Sequence, residues 1–248
     1  MIESIDRALA ILQLFLKEER PLSVTQISKM MGLHKSTVSR TMETMEARGF
    51  ISRDKDTGLY WPGLQIYSLG MLFRENGSIQ KVAYPYAKAL ASKFGEGVHM
   101  TTFSVNESAY PQHVILEKIK SSASVDVAPP IGSVRPSHCA ASGKCLLAFD
   151  EAYRKRYEGC DLKRFTEYTV IDWDTLNEEL ALIRKNGYAV EREEVEIGMA
   201  CIAAPIFSHQ RVVAAISLSA PLSRLTEELL PEIIKSVQKT AKEISQAL

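Results

Sequence analysis

The chain of 248 residues is 46% hydrophobic and 24% charged, ordinary values for a folded protein of one or two domains with room for a sizeable core. Thirty Lys and Arg balance thirty Asp and Glu, so the total charge argues for no nucleic-acid or acidic partner, and only a local excess can do so. Cys139, Cys145, Cys160 and Cys201 lack CxxC spacing, the first residues lack the apolar run of a signal peptide, and no stretch approaches the ~20 apolar residues of a membrane span. We therefore expect a reducing, cytoplasmic setting, no membrane partner and no cofactor.

In chain order, residues 3–18 (ESIDRALAILQLFLKE) read as a helix with Ile5, Ala8, Leu9, Leu12, Phe15 and Leu16 in one stripe, widened by Ala10, Ile11 and Leu14. An apolar surface wider than one face needs a second cover. Either the surrounding domain wraps it or a second copy of the chain does, and periodicity does not choose between them.

Ser23 followed by Gln26 is a capping-box start, and Ile27, Met30 and Met31 then share a helical face up to Gly32, a residue suited to a left-handed stop. A second helix restarts near His34 with Val38, Thr41, Met42 and Met45 inward. Two helices around a short Gly turn are the helix-turn-helix signature. The opposite face of the second helix carries Ser36, Thr37, Arg40, Glu43, Thr44 and Ala47, flanked by Lys35 and Ser39. Small hydroxyls and one Arg suit base edges and phosphates in a major groove, although an ordinary solvated helix face has a similar composition.

Context favours the first reading. After Gly49, Phe50–Arg53 and Leu59–Trp61 read as two strands joined by the turn Asp54-Lys55-Asp56-Thr57-Gly58, a wing that offers Arg53 and Lys55 to backbone phosphates. From Lys29 to Lys55 six Lys or Arg face three acids, so a mild basic patch coincides with the motif. The expected DNA contacts are Lys35, Ser36, Thr37, Ser39, Arg40, Thr44, Arg53 and Lys55. Glu43, awkward beside phosphate, is expected to accept from a cytosine amino group or to turn toward Lys35 or Arg40.

Pro62-Gly63 breaks the second wing strand, and Leu64–Phe73 resumes helical spacing as a linker helix. The polar trio Asn76-Gly77-Ser78 marks a boundary. The expected division is a winged helix-turn-helix domain over 1–62, a linker helix over 63–77 and a second domain over 78–248.

In that second domain, Ile79–Phe94 reads as a helix with Val82, Tyr86, Ala89, Leu90 and Phe94 on one side. Strands follow at 98–105 and 109–119, turning at Asn106-Glu107-Ser108, and Pro129-Pro130 with Gly132 marks a loop. A short apolar helix covers 140–149, and an amphipathic helix over 173–185 ends at Asn186-Gly187. Strands at 200–207 and 212–219 meet in the tight hairpin Ser208-His209-Gln210-Arg211. A closing helix aligns Leu225, Leu229, Ile233, Val237, Ala241 and Leu248. Strand pairs flanked by helices predict an α+β class with an antiparallel sheet and helices on its faces.

Ala141-Ser142-Gly143-Lys144 opens the short apolar helix, and the free N–H groups and positive dipole end of a helix start can hold a small carboxylate. Close packing of Ser142 and Gly143 on a strand would use the same residues. Ser217 and Ser219 alternate along a strand and so share a face. The segment is not a phosphate-binding loop, because His138 stands six before Lys144 and Cys145 follows it. His99, His113, His138 and the cysteines show no metal-ligand spacing, so no metal is expected.

ISKMMGLHKSTVSRTMETMEARGFI, YWPG, HCAASGKCLLA, GYAVEREEVEIGMACIAAPIF and VVAAISLSAPLSRL occur in this order. Together they make the chain, over nearly its whole length, resemble the IclR family of bacterial transcriptional regulators. The resemblance implies an N-terminal domain that binds double-stranded operator DNA as a dimer. It also implies a C-terminal GAF-like domain that takes a small effector and mediates association into a homodimer or tetramer. It places Ala141, Ser142, Gly143, Glu191, Cys201, Ser217 and Ser219 around the effector. In similar proteins with glyoxylate-like ligands a Gly-Ala pair leads into the Gly-Lys; here the pair is Ala141-Ser142, so ligand identity does not carry over. The expected function is a ligand-responsive regulator, a repressor controlled by a carboxylate-like effector, and not an enzyme. The rival is a GAF-like enzyme using Cys139 or Cys201, with the N-terminal domain serving only for dimerisation.

Overall fold

The computed structural model describes residues 2–76, 79–104, 108–120 and 129–248. They form two compact units, Met1–Gly77 and Ser78–Leu248.

The first unit runs α1 (Glu3–Glu18), α2 (Val24–Met31), α3 (Lys35–Ala47), β1 (Ile51–Arg53), β2 (Tyr60–Pro62) and α4 (Leu64–Asn76). The Ser23 hydroxyl accepts from the Gln26 N–H at 3.3 Å and the Gln26 side chain accepts from the Ser23 N–H at 2.8 Å, so the capping box starts α2. Gly32, at φ 66°, ends it. Between the antiparallel strands β1 and β2, the Asp54 carboxylate accepts from the N–H groups of Asp56 and Thr57 and shapes the wing turn. Ile11, Phe15, Leu22, Ile27, Val38, Met42, Met45, Ile51 and Tyr60 form the core.

Three points in this unit go beyond what the sequence pattern shows. In α1 the buried residues are Ile11 and Phe15, whereas Ile5, Leu9 and Leu16 stand more than half exposed. The small domain covers one side of the helix and leaves the other. In α2 Met30 is exposed and Ser28 takes the inward slot, its hydroxyl donating to the Leu33 carbonyl at 2.6 Å just past the helix end. Glu43 accepts from the Ser39 hydroxyl at 2.9 Å, one helical turn back, and is engaged there instead of with Lys35 or Arg40.

The second unit runs α5 (Ile79–Phe94), β3 (Gly97–Phe103), β4 (Gln112–Ile119), β5 (Val134–Pro136), α6 (Ala141–Phe149), α7 (Glu151–Tyr157), α8 (Trp173–Asn186), β6 (Ala189–Arg192), β7 (Met199–Ser208), β8 (Arg211–Pro221) and α9 (Leu230–Ala247). The six strands form one sheet in the order β5-β4-β3-β8-β7-β6, antiparallel throughout. The β7–β8 hairpin closes through His209 and Gln210, both at positive φ, the two-residue turn whose twist matches its strands. One face of the sheet presents Val98, Met100, Ile202, Ile216 and Leu218 to α5 and α9. The other presents Ala189, Ala203 and Ala215 to α6 and α8, which contribute Leu146, Leu147, Leu176 and Leu180. This is the antiparallel sheet flanked by helices that the strand pattern predicts.

Details of packing differ from the sequence reading. α5 buries Ala83, Ala87, Leu90 and Ala91, with Tyr86 and Phe94 partly buried against the same core, whereas Ala89 is exposed; the small side chains let the helix lie close to the sheet. α9 buries Ile233, Val237, Thr240, Ala241 and Ile244, and Leu248 lies past the helix end, partly exposed. Strands β5 and β6 and helix α7 went unread, because elements of three, four and seven residues are too short to show a period. The expected trios at 76–78 and 106–108 fall largely outside the described residues.

Candidate functional site

The first candidate surface lies on α3. With Val38, Met42 and Met45 in the core, helical geometry turns Lys35, Ser36, Arg40 and Thr44 to solvent, and Thr37 and Ser39 sit half-buried at the margins. The Thr44 hydroxyl donates to the Arg40 carbonyl at 2.9 Å, which fixes its rotamer and leaves the oxygen lone pairs outward. His34 caps the helix without a side-chain bond; the Thr37 and Val38 N–H groups donate to its carbonyl at 3.1 Å, so the N–H groups that an acceptor could meet at this end are those of Lys35 and Ser36. On the wing, Lys55 is exposed at the turn and the Arg53 guanidinium lies 5.6 Å from the centre of the Tyr60 ring. A groove between α1 and α3 adds a cation absent from the expected set. Arg7 lines it with Ser36, Thr37, Arg40 and Thr44, beside the apolar Ile5 and Leu9. Arg7 lies on α1, outside the helix-turn-helix and wing, so the local charge of residues 29–55 does not include it.

The second candidate is a cavity of about 170 Å³ in the other unit. Its floor follows from strand register. Glu191 lies opposite Cys201, Cys201 opposite Ser219, and Ser219 opposite Gly97, a row crossing four strands on one face. One pleat further along, Ser217 lies opposite His99. Above this floor sits the start of α6, with Ala140, Ala141 and Ser142 lining the cavity and no side chain capping the helix.

Six of the seven expected effector positions, Ala141, Ser142, Glu191, Cys201, Ser217 and Ser219, thus meet around one space. Gly143 is not among the lining residues. It presses on the backbone of Ser137 so closely that a Cβ there would lie 2.3 to 2.8 Å from Ser137 atoms. His99, Thr101, His113, Ile115 and Arg135 also line the cavity from β3, β4 and β5. No local motif marks them, and their arrival depends on the order of the strands.

Charge inside the cavity is set by burial. The Glu191 carboxylate accepts from the Glu194 N–H at 2.6 Å, yet burial wins and pushes its pKa up to about 7. Burial also pushes the Cys201 thiol up, and its sulfur lies 3.0 Å from the Ser219 hydroxyl. Burial, reinforced by the charge of Arg135, pushes His113 down to about 3, so this imidazole is neutral, with Nδ1 3.2 Å from the Ser137 hydroxyl.

Behind the cavity lies a side chain whose partners no spacing in the sequence shows. Lys144 is fully buried on α6, and its Nζ donates to Glu179 at 2.6 Å and to Glu194 at 2.5 Å. Burial opposes the charge, but the two carboxylates outweigh it and raise the pKa. The Thr166 and Thr169 hydroxyls donate to the Glu193 and Glu194 carbonyls at 2.6 and 2.7 Å. The loop that positions Glu191 is therefore tied to α6 by an ion pair and to the segment before α8 by two hydroxyls. Among the described residues no three His, Cys, Asp or Glu side chains converge as metal ligands would.

A winged helix-turn-helix in one unit and a small-molecule-sized cavity over an antiparallel sheet in the other define a DNA-binding regulator with its own sensor domain. The chain belongs to the IclR family. The family description "IclR helix-turn-helix domain" matches residues 4–55, and "Bacterial transcriptional regulator IclR C-terminal" matches residues 73–246. The chain is similar to the HTH-type transcriptional regulator XynR of Escherichia coli K12, 32% identical over 251 residues, covering 100% of this chain and 98% of that one. It is 33% identical over 249 residues to the HTH-type transcriptional repressor AllR of the same strain, covering 99% and 90%. The crystal structure of the Thermotoga maritima IclR matches with a TM-score of 0.72 at 30% identity, covering 100% and 99%. The protein is a DNA-binding transcriptional regulator. No helix among its described residues is long and apolar enough to cross a membrane.

Proposed function

We propose that this regulator is a cytoplasmic repressor that binds double-stranded operator DNA as a homodimer and responds to a small organic carboxylate held in the cavity of its second unit. The observation that carries the reading is the uncapped start of α6 facing the row Glu191, Cys201 and Ser219 across the cavity. Free N–H groups and the positive end of the helix dipole favour an anion. Arg135 adds positive charge to the wall. Glu191, with its pKa near 7, can meet a carboxylate as a neutral acid that donates a hydrogen bond. Ala141, Ser142, Glu191, Cys201, Ser217 and Ser219 are the direct contacts in this reading, and Gly143 serves by letting α6 approach Ser137.

On DNA, Ser36, Thr37 and Arg40 face base edges or phosphates, with Lys35, Ser39 and Thr44 at the margins and Arg53 and Lys55 on the backbone. Pairing of two copies is supported by α1, whose Ile5, Leu9 and Leu16 lie outside the core, and by α4, whose Leu64, Tyr67, Leu72 and Phe73 are exposed. Two such units read two half-sites. Repression as the sign of control rests on the likeness to AllR. The cysteine-enzyme rival loses support, since burial keeps Cys139 and Cys201 as neutral thiols, poor nucleophiles.

The test uses full-length protein and a DNA fragment selected by the protein from a random pool. Pyruvate, glyoxylate, gluconate and benzoate are titrated into a gel-shift assay and into a thermal melt. A true effector raises the melting temperature, because it binds only the folded state, and changes operator affinity over the same concentration range. Absence of both responses across the acids rejects the carboxylate assignment. Turnover of small acyl substrates that is lost in Cys201→Ser favours the enzyme.

A further inference from the structure

The cavity floor carries a polar group that the fold itself does not use. Thr101 lies in β3 between Ala215 on β8 and Ile115 on β4 and is completely buried. Strand alternation places it on the side of His99, toward the cavity, while Val98 and Met100 face the core under α5 and α9. Neither cross-strand neighbour has a hydrogen-bonding side chain, and the Thr101 hydroxyl finds no partner among the described residues. The next residue shows the contrast: Thr102, on the other side of the strand, donates to the Val213 carbonyl at 2.8 Å. A buried hydroxyl without a partner costs stability, and valine would fill the same volume without that cost. The protein itself leaves this hydroxyl's hydrogen bond unused, so it is available to a molecule in the cavity.

The cavity thus offers two kinds of recognition. The start of α6 suits a carboxylate, and Thr101 suits a hydroxyl elsewhere on the same molecule. Ile115, Val195 and Met199 supply aliphatic wall, and no Phe, Tyr or Trp lines the space among the described residues. A void of ~150 Å³ holds about one benzene ring, which corresponds here to a chain of roughly three to six carbons. We propose that the effector is a short aliphatic acid carrying at least one hydroxyl, and that Thr101 selects it by hydrogen bonding to that hydroxyl. The proposal rests on the carboxylate reading of the cavity given above.

Calorimetric titration and thermal melts of full-length wild type, Thr101→Val and Thr101→Ser test it. The probes are glycerate and gluconate, their hydroxyl-free counterparts propionate and hexanoate, and benzoate. Without ligand, Thr101→Val is expected to melt above the wild type. With ligand, wild type and Thr101→Ser prefer a hydroxylated acid to its counterpart, and Thr101→Val loses about three- to tenfold of that affinity while binding the hydroxyl-free acid unchanged. Equal binding of hydroxylated acids by wild type and Thr101→Val overturns the selection role. A preference for hydroxyl-free acids or benzoate overturns the ligand class and leaves the carboxylate reading standing. If none of the acids binds the wild type, the carboxylate reading fails first and this inference with it.

Discussion

Two side chains show how surroundings decide what a residue does. Glu191 is a carboxyl whose pKa is raised from 4.5 to about 7 by burial, so the folded protein binds more protons than the unfolded chain between those values. Stability therefore falls as pH rises through that window, and under the proposed role of Glu191 carboxylate affinity is expected to fall with it, because the charge that Glu191 acquires would repel the ligand. Glu191→Gln is expected to flatten the decline of melting temperature between about pH 4.5 and pH 7. An unchanged slope in melts across buffered pH would contradict the assignment. Arg40, exposed on α3, has the opposite character: it contributes nothing to the core. Arg40→Ala should leave the melt unchanged and weaken operator binding by about 1–3 kcal/mol in a gel shift at fixed salt.

Among the elements, α2 and α6 are held by different means. α2 depends on its capping box, and Ser23→Ala is expected to cost about 1 kcal/mol, measured by denaturant unfolding of the full chain. α6 is held by contact and charge. Lys144→Met leaves Glu194 buried without its cation, an imbalance that costs about 3–5 kcal/mol when a buried pair is broken from one side. Glu179 is far more exposed, so its share is small. Lys144→Met combined with Glu194→Leu should recover most of the loss, because the uncompensated charge is then gone. A double variant no more stable than Lys144→Met would show that the ion pair is not what holds the loop.

In the whole molecule the question is what covers the free side of α1. A lone winged domain with a mild basic patch makes few phosphate contacts, and pairing multiplies the affinity of each half-site through effective concentration. Leu9→Glu introduces a charge on the exposed stripe without touching the Ile11 and Phe15 core. It should shift the sedimentation profile toward a smaller species and lower operator affinity by at least tenfold, a loss of about 1.4 kcal/mol. Unaltered assembly and affinity would place the contact elsewhere.

The signals that act over a few residues were legible in the sequence itself: the Ser23 cap, the Gly32 stop, the inward Val38, Met42 and Met45 of α3, the wing turn at Asp54, and the hairpin at His209 and Gln210. These depend on backbone sterics and one or two local hydrogen bonds, which any neighbourhood preserves. The tertiary structure alone decided which side of α1 is buried, why Gly143 is small, that Lys144 is an interior cation, and that Thr101, His99 and Arg135 share a cavity with Glu191 and Ser219. Periodicity shows that an element has two faces, but what each face meets depends on strands brought together from more than ninety residues apart, as His99 and Glu191 are, and on the order in which the sheet stacks them.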